Sequence, residues 1–152
     1  MIQERNETLL EVIGIIIQAH GGILYSKTKL VKLLYLIDRH FAKKYGRTLT
    51  GIEYKSYFYG PYSDEIEEAL NYLNEQGFVK ILYEESPFTG VPYYVLKLIN
   101  LPNFGSLTEE ERKTVINIVK TYARKSLDEI LDEVYDTEEY NNTPFGRVIT
   151  LA

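Results

Sequence analysis

The sequence has 152 residues, the usual size of one domain, and its 45% hydrophobic content with 14 tyrosines is ample for a core. It contains no cysteine, which excludes disulfides, thiolate zinc sites and cysteine nucleophiles, so a reducing cytoplasm is the expected compartment. A net charge of −5 argues against indiscriminate nucleic-acid binding. We therefore expect one globular domain over residues 1–152.

Charge is unevenly distributed along the chain. Residues 20–60 contain eight lysines and arginines against two carboxylates, whereas residues 61–86 contain seven carboxylates against one lysine. The apolar stretch Val12–Ile17 is too short for a signal peptide or a membrane span, so neither is expected. The two oppositely charged segments are the first places to look for functional surfaces.

Two helices are predicted in the first third of the chain. The first begins at Glu7 and ends at Gly21-Gly22, with apolar residues at helical spacing between them. The second follows Ser26, a favourable N-cap residue, and ends at Gly46. Its apolar stripe consists of Leu30, Leu33, Leu34, Ile37 and Phe41. Each helix therefore offers an apolar face to a core.

A strand, a third helix and a hairpin follow. The segment Thr50–Tyr59 alternates weakly and predicts a strand, which Pro61 ends in a Gly-Pro turn. The third helix begins at Ser63 and opens with a run of acidic residues. The strands Phe78–Tyr83 and Tyr93–Leu98 are joined by a loop and form a β-hairpin. This order predicts a mainly α, α+β fold with a winged-helix-like core, in which the hairpin is the wing.

Two more helices are predicted after the hairpin. Thr108 and Ser126 each begin a capping box, in which a glutamate three residues later reaches back to the cap. We expect these helices to form an extension over residues 106–152 that packs on residues 1–100. The tail residues expected to dock on the core are Phe145, Val148 and Ile149.

Short motifs occur in an informative order along nearly the whole chain. They are K-L-V-K-L-L-Y at Lys29–Tyr35, Y-G-R-T-L at Tyr45–Leu49, Y-G-P-Y at Tyr59–Tyr62, and the later Leu107-Thr108, Tyr122 and Ser126-Leu127. In this order they resemble the Panacea family, the SocA-like antitoxin domain. The first and third motifs, at this separation, carry most of the resemblance.

The resemblance implies a mostly helical domain that neutralises a partner toxin by direct binding. It further implies that the toxin is usually encoded next to the antitoxin, and that some members also deliver it to a protease. No catalytic residue, metal or cofactor comes with the resemblance. The predicted function is therefore that of a non-enzymatic, protein-binding antitoxin.

The third helix carries the first candidate surface, the acidic face. Its members Glu65, Glu68, Tyr72 and Glu75 share an arc of about 80°. The helix dipole explains acidic residues in the first turn but not the absence of any lysine or arginine on the helix. Aromatic residues in the neighbouring turn are typical interface anchors. The residues predicted to bind the protein partner are Tyr59, Gly60, Pro61, Tyr62, Glu65, Glu68, Tyr72 and Glu75.

The second helix carries a possible second surface, the basic face. Its members Lys29, Lys32, Arg39 and Lys43 also lie within an arc of about 80°. The solvated outer face of an amphipathic helix is the more usual explanation of such a stripe, and a binding face is the alternative. If the basic face met the acidic face of a second copy across a two-fold axis, a salt-sensitive homodimer would form.

The alternative function is a winged-helix transcriptional regulator that binds DNA. A reading helix with five carboxylates would be repelled by phosphates, so specific nucleic-acid binding is not expected. A small hydrolase or nuclease is the third interpretation, but His20 and His40 each lack a second histidine at ligand spacing and a nucleophile. Asp128, Asp132 and Asp136 are typical of a solvated helix face and predict no metal site.

Overall fold

The computed structural model describes residues 5–152, which form six helices and two small antiparallel sheets. The helices are α1 Glu7–Ala19, α2 Lys27–Tyr45, α3 Asp64–Glu75, α4 Glu109–Tyr122, α5 Leu127–Tyr135 and α6 Glu138–Asn141. The strands are β1 Ile23–Leu24, β2 Tyr54–Tyr57, β3 Gly60–Tyr62, β4 Val79–Glu85, β5 Pro92–Leu98 and β6 Val148–Ile149. The architecture is α+β, as predicted. The strands β1, β3 and β6 and helix α6 were not predicted.

Helix α1 is the centre of the core, because every residue from Leu9 to Ile17 is buried. It contacts α2, α3, α4 and β5. The buried Glu11 carboxylate accepts hydrogen bonds from the N–H groups of Phe104 (2.6 Å) and Gly105 (3.0 Å), so the segment after β5 is fastened to this helix. A side chain at Gly14 would lie 2.7 Å from Pro102 Cδ, which explains the glycine.

Helix α2 begins and ends where its capping residues predict. The Ser26 side chain accepts a hydrogen bond from the Lys29 N–H at 3.0 Å, and Gly46 ends the helix at φ +74°. The Asp38 carboxylate in its middle accepts bonds from the Thr50 N–H (2.8 Å) and the Tyr54 hydroxyl (2.7 Å). Asp38 therefore fixes the segment that leads from α2 into β2.

The two sheets have the strand orders β1-β5-β4 and β3-β2-β6. In the first sheet the predicted hairpin is confirmed, with Val79 opposite Leu98 and Glu85 opposite Pro92. In the second sheet Ile149 pairs with Tyr54, so the end of the chain docks on β2. Of the three tail residues expected to dock, only Ile149 is buried.

The prediction of one strand ended by a Gly-Pro turn was wrong. β2 and β3 form a hairpin in which Ser56 is opposite Pro61 and Tyr57 is opposite Gly60. The residues of the turn are Phe58 and Tyr59, which we call the hairpin tip. Proline is tolerated in β3 because β3 is an edge strand, where a missing N–H breaks no ladder bond.

The C-terminal helices pack on the helices of the first half. Both predicted capping boxes are present, with the Thr108 and Ser126 hydroxyls accepting from the N–H groups three residues later. Helix α4 contacts α1 and α2, and α5 contacts α2 and β3. The Tyr35 hydroxyl of α2 shares a hydrogen bond of 2.7 Å with the Thr137 hydroxyl. None of the helices in residues 5–152 combines the length and the apolarity that crossing a bilayer requires.

Candidate functional site

The β2–β3 hairpin lies across α2, and its glycine makes this close approach possible. Gly60 has φ +99°, a backbone conformation that residues with a side chain rarely adopt. A Cβ atom there would lie 3.1 Å from Tyr135 Cε1 and 3.5 Å from Lys32 Cε. Lys32 Nζ in turn donates a hydrogen bond to the Pro61 carbonyl at 2.7 Å. The hairpin is therefore supported from below by α2 and α5.

This support buries half of the predicted binding turn. Gly60 and Pro61 are buried, and Tyr62 is partly buried, with its hydroxyl donating to Glu67 Oε1 at 2.9 Å. Burial and the neighbouring Asp64 raise the pKa of Tyr62. The hairpin tip is open by contrast, with Phe58 82% and Tyr59 77% exposed. Gly60 has no side chain and the Pro61 ring is buried, so these two residues position the tip without contacting a partner through a side chain.

A surface cleft of about 450 Å³ opens between the hairpin tip and α2. We call it the aromatic cleft, and its lining includes Val31, Lys32, Tyr57, Phe58, Tyr59 and Tyr94. At its rim Lys27 forms an ion pair with Glu67 and lies 4.9 Å from the centre of the Tyr94 ring. The cleft therefore has apolar, ring-lined walls and a single buried ammonium group.

The acidic face of α3 is open to solvent, as its helical spacing predicts. Glu65, Glu68 and Glu75 are exposed, whereas Tyr72 is half-buried. The Arg5 guanidinium donates to the Tyr72 hydroxyl and lies 5.2 Å from the centre of its ring. Glu65 Oε2 accepts a bond of 3.0 Å from the Glu53 N–H. Most of the carboxylates of the acidic face are thus available to a partner.

The aromatic cleft and the acidic face belong to one continuous surface. Tyr57 and Tyr62 line both the cleft and a second depression of about 300 Å³, which reaches Glu65. Glu65 also borders a third depression, shared with Glu68 and Tyr72. The predicted partner-binding residues therefore lie along one surface, apart from Glu75, which extends the acidic face further along α3.

The basic face of α2 is interrupted: Lys32 is buried, Arg39 and Lys43 are paired, and Lys43 stays exposed, so the stripe is not a continuous free surface. Lys32 is only 3% exposed because the β2–β3 hairpin lies over it. Arg39 and Lys43 pair with Glu139 of α6 at 2.6 Å and 3.2 Å. Helical spacing gave the correct direction for these side chains but could not show that later parts of the chain bury Lys32 and pair with Arg39 and Lys43. The predicted homodimer stays a prediction, with fewer free cations to support it.

Burial of Lys32 lowers the pKa of its amine to about 8. Burial likewise lowers the pKa of Lys27. Within residues 5–152, no three His, Cys, Asp or Glu side chains converge closely enough to hold a metal ion. The chemistry that the cleft offers is the binding of apolar groups and of a negative charge.

Four members of the site were not predicted from the sequence: Phe58, Lys27, Glu67 and Tyr94. The run Tyr57-Phe58-Tyr59 was the available signal, because three consecutive aromatics cannot all point to the same face of a strand. At least one of them had to be exposed or in a turn. No local signal could have joined Lys27 and Tyr94 to it, since they come from α2 and β5.

Comparison with known proteins agrees with the motifs in the sequence. The family model of the antitoxin SocA-like Panacea domain matches residues 30–140, which is most of the chain. The protein therefore belongs to this family, and the resemblance drawn from the motifs is confirmed. The family suggests a role related to toxin–antitoxin systems. Neither the curated proteins nor the solved structures include a match.

Proposed function

We propose that the protein is a non-enzymatic antitoxin that neutralises a toxin by binding it directly through the aromatic cleft and the acidic face. The observation that carries the proposal is the exposed pair Phe58 and Tyr59 beside a ring-lined cleft. Exposed aromatic groups next to an apolar cleft mark interaction sites, and such rings contribute much of the affinity of protein interfaces. Family membership supplies the partner class.

The hairpin is built to hold its tip in place. Strand pairing joins Tyr57 to Gly60, Lys32 bonds the Pro61 carbonyl, and Tyr135 packs beneath Gly60. Phe58 also packs on Phe145, with ring centres 4.6 Å apart. A tip held in this way loses little conformational entropy when a partner binds, so more of its burial contributes to affinity.

The acidic face favours a partner protein whose binding surface is basic. Its exposed carboxylates Glu65, Glu68 and Glu75 lie on the same surface as the cleft. Charge of one sign on an exposed surface accelerates the approach of an oppositely charged protein and fixes its orientation. We infer that the toxin presents cations opposite α3.

The same surfaces favour DNA binding less than they favour protein binding. The order α1-β1-α2-α3-β4-β5 supports a winged-helix-like interpretation, with the β2–β3 hairpin inserted before α3. In such a protein α3 would be the reading helix, and its carboxylates would be repelled by phosphates. The basic face, which would have to replace it, is largely covered or paired.

The test is to produce the protein together with the protein encoded by the neighbouring gene. We expect the neighbouring protein alone to arrest growth, and the pair to grow and to purify as a complex. The double change Phe58→Ser with Tyr59→Ser should weaken the complex at least tenfold, since two anchor rings are lost. The matched control is Phe88→Ser with Val91→Ser, which removes exposed apolar groups from the β4–β5 loop and should leave the complex intact. A neighbouring protein that is harmless or does not bind contradicts the proposal.

A further inference from the structure

The ammonium group of Lys32 lacks a counter-ion in the part of the chain that the structure describes. It is 3% exposed, and its one hydrogen-bond acceptor is the Pro61 carbonyl at 2.7 Å. An ammonium group has three N–H donors, so two have no acceptor among residues 5–152. Lys27, which also lines the cleft, is by contrast paired with Glu67. Lys32 is therefore a buried donor that belongs to the lining of the aromatic cleft.

A buried charge without a partner is unfavourable, and proteins satisfy such charges with an opposite charge or with hydrogen bonds. Burial lowers the pKa of Lys32 to about 8, so near pH 7 the amine is still mostly protonated. A carboxylate that entered the cleft would supply the missing acceptor through a charge-assisted hydrogen bond, which is stronger than one between neutral groups.

Among residues 5–152, the one carboxylate that lines the cleft does not serve this purpose. Glu67 is at the rim, where it pairs with Lys27 and accepts from the Tyr62 hydroxyl at 2.9 Å. Its charge is thus partly neutralised and repels an incoming carboxylate only weakly. The remaining walls are rings and Val31, which suit an apolar group next to the acid.

We infer that the aromatic cleft takes a segment of the partner protein in which a carboxylate reaches Lys32 Nζ and an adjacent apolar side chain packs on Phe58, Tyr59 and Tyr94. The inference rests on the proposed function and names the chemistry that the partner brings to the cleft. A protein segment fits better than a free organic acid, because Phe58 and Tyr59 are 82% and 77% exposed and a small acid bound at Lys32 would leave most of that area uncovered. Only an extended surface covers both the tip and the cleft.

Two short blocked peptides serve as probes. One has a phenylalanine next to an aspartate, and the other has an asparagine in place of the aspartate. Binding to the full chain is followed by NMR through the amide signals of Tyr59 and Gly60. We expect the aspartate peptide to bind on the order of tenfold more tightly, the effect of one hydrogen bond to a charged group.

The variant Lys32→Met should abolish this preference while leaving the weaker binding of the asparagine peptide. Methionine has a similar length and no charge, so the fold is expected to persist, and thermal melting verifies it. The matched control is Lys29→Met, one turn away on α2, which should keep the tenfold preference. A second variant, Phe58→Ser, lies in the exposed turn and should weaken both peptides equally.

Four results overturn the inference: no binding of either peptide at millimolar concentration, equal affinity of the two, a preference that survives in Lys32→Met, or phenylacetate binding as tightly as the aspartate peptide. The last result would assign the cleft to a small organic acid. If the neighbouring protein forms the complex but the peptides show no preference, the inference fails and the proposed function stands. If the preference is present but the neighbouring protein does not bind, the proposed function fails.

Discussion

Helices α2 and α3 both carry a stripe of like charges, and they differ in what lies over it. On α3 the carboxylates of Glu65, Glu68 and Glu75 remain exposed. On α2 the β2–β3 hairpin covers Lys32, and Glu139 of α6 pairs with Arg39 and Lys43. The comparison teaches that a charged stripe shows the direction in which side chains point. Whether that direction is solvent depends on the rest of the chain.

The covered face has a function in the architecture, and the open face is left for a partner. Lys32 holds the hairpin through the Pro61 carbonyl, so a cation of α2 supports the tip that we propose binds the toxin. The acidic face has few such internal contacts, Glu65 with the Glu53 N–H being one. Variants that alter the hairpin support, the basic face or the acidic face separately can therefore test this difference.

The largest expected effect concerns the buried Lys32. Its folded pKa of about 8 is below its ordinary value of 10.5, so between these pH values the unfolded chain binds more protons than the folded one. Stability due to this group should therefore rise with pH across that interval, by about 3 kcal/mol. Urea unfolding from pH 7 to 10.5 should show this rise in the wild-type protein relative to Lys32→Met. Tyrosine titration is common to both proteins and cancels. Parallel curves would show that Lys32 is not buried.

The next effect concerns Gly60, where the hairpin packs closely on Tyr135 of α5. Gly60→Ala forces a side chain into a positive φ and against Tyr135, and should cost about 2 kcal/mol of unfolding free energy. Gly51→Ala is the matched control, because Gly51 also has positive φ but no atom within 4 Å of the added Cβ. It should cost about 1 kcal/mol. Equal losses in the two variants would mean that the hairpin does not press on Tyr135 of α5.

Removing the carboxylate that covers the other end of the basic face should have a smaller effect. Burial disfavours the charge of Glu139, but the bonds from Arg39 and Lys43 hold its pKa below the ordinary value of 4.5. Glu139→Gln should therefore cost about 1 kcal/mol at neutral pH, and the difference should vanish as the pH falls below 4.5. Glu133→Gln, which removes one ion pair with Lys125, should cost less. Acid and urea titrations measure both variants, and a loss that persists at low pH would contradict the ion-pair explanation.

The smallest effect on the fold, with a large effect on binding, is expected on the acidic face. Glu65→Lys with Glu68→Lys should change stability by no more than about 1 kcal/mol, mainly through the dipole of α3. Affinity for the partner should fall about tenfold, because two lysines that repel a basic partner replace two carboxylates that attract it. Glu109→Lys with Glu110→Lys makes the same charge change in the first turn of α4 and should not alter affinity. Calorimetry measures the affinity and thermal melting measures the stability of the same samples. Unchanged affinity in the Glu65 and Glu68 variant would contradict a binding role for the acidic face.

The elements with local signals could be predicted from the sequence. Ser26, Thr108 and Ser126 cap helices as predicted, because capping depends on residues three positions apart. The β2–β3 hairpin could not be predicted from the sequence, because a proline usually ends a strand. Pro61 is allowed within β3 only because β3 lies at the edge of its sheet.

The candidate site shows the same division. The exposure of Glu65 and Glu68 follows from helical spacing against the buried Ile66 and Leu70. The burial of Lys32 depends on a carbonyl 29 residues later in the chain. The aromatic cleft needs side chains from α2, the hairpin tip and β5 together, and no pattern within one segment encodes their meeting.

Hydrogen–deuterium exchange on the protein alone and in complex with its toxin tests the central claim most directly. We predict slower exchange in the complex at the hairpin tip, Phe58 and Tyr59, and at the start of α3, with no change in α4 and α5. The tip is informative because the amides of Phe58 and Tyr59 lie in an exposed turn, where only a partner can protect them. Protection confined to α4 and α5, with the tip unchanged, would contradict the account and place the binding surface on the C-terminal helices.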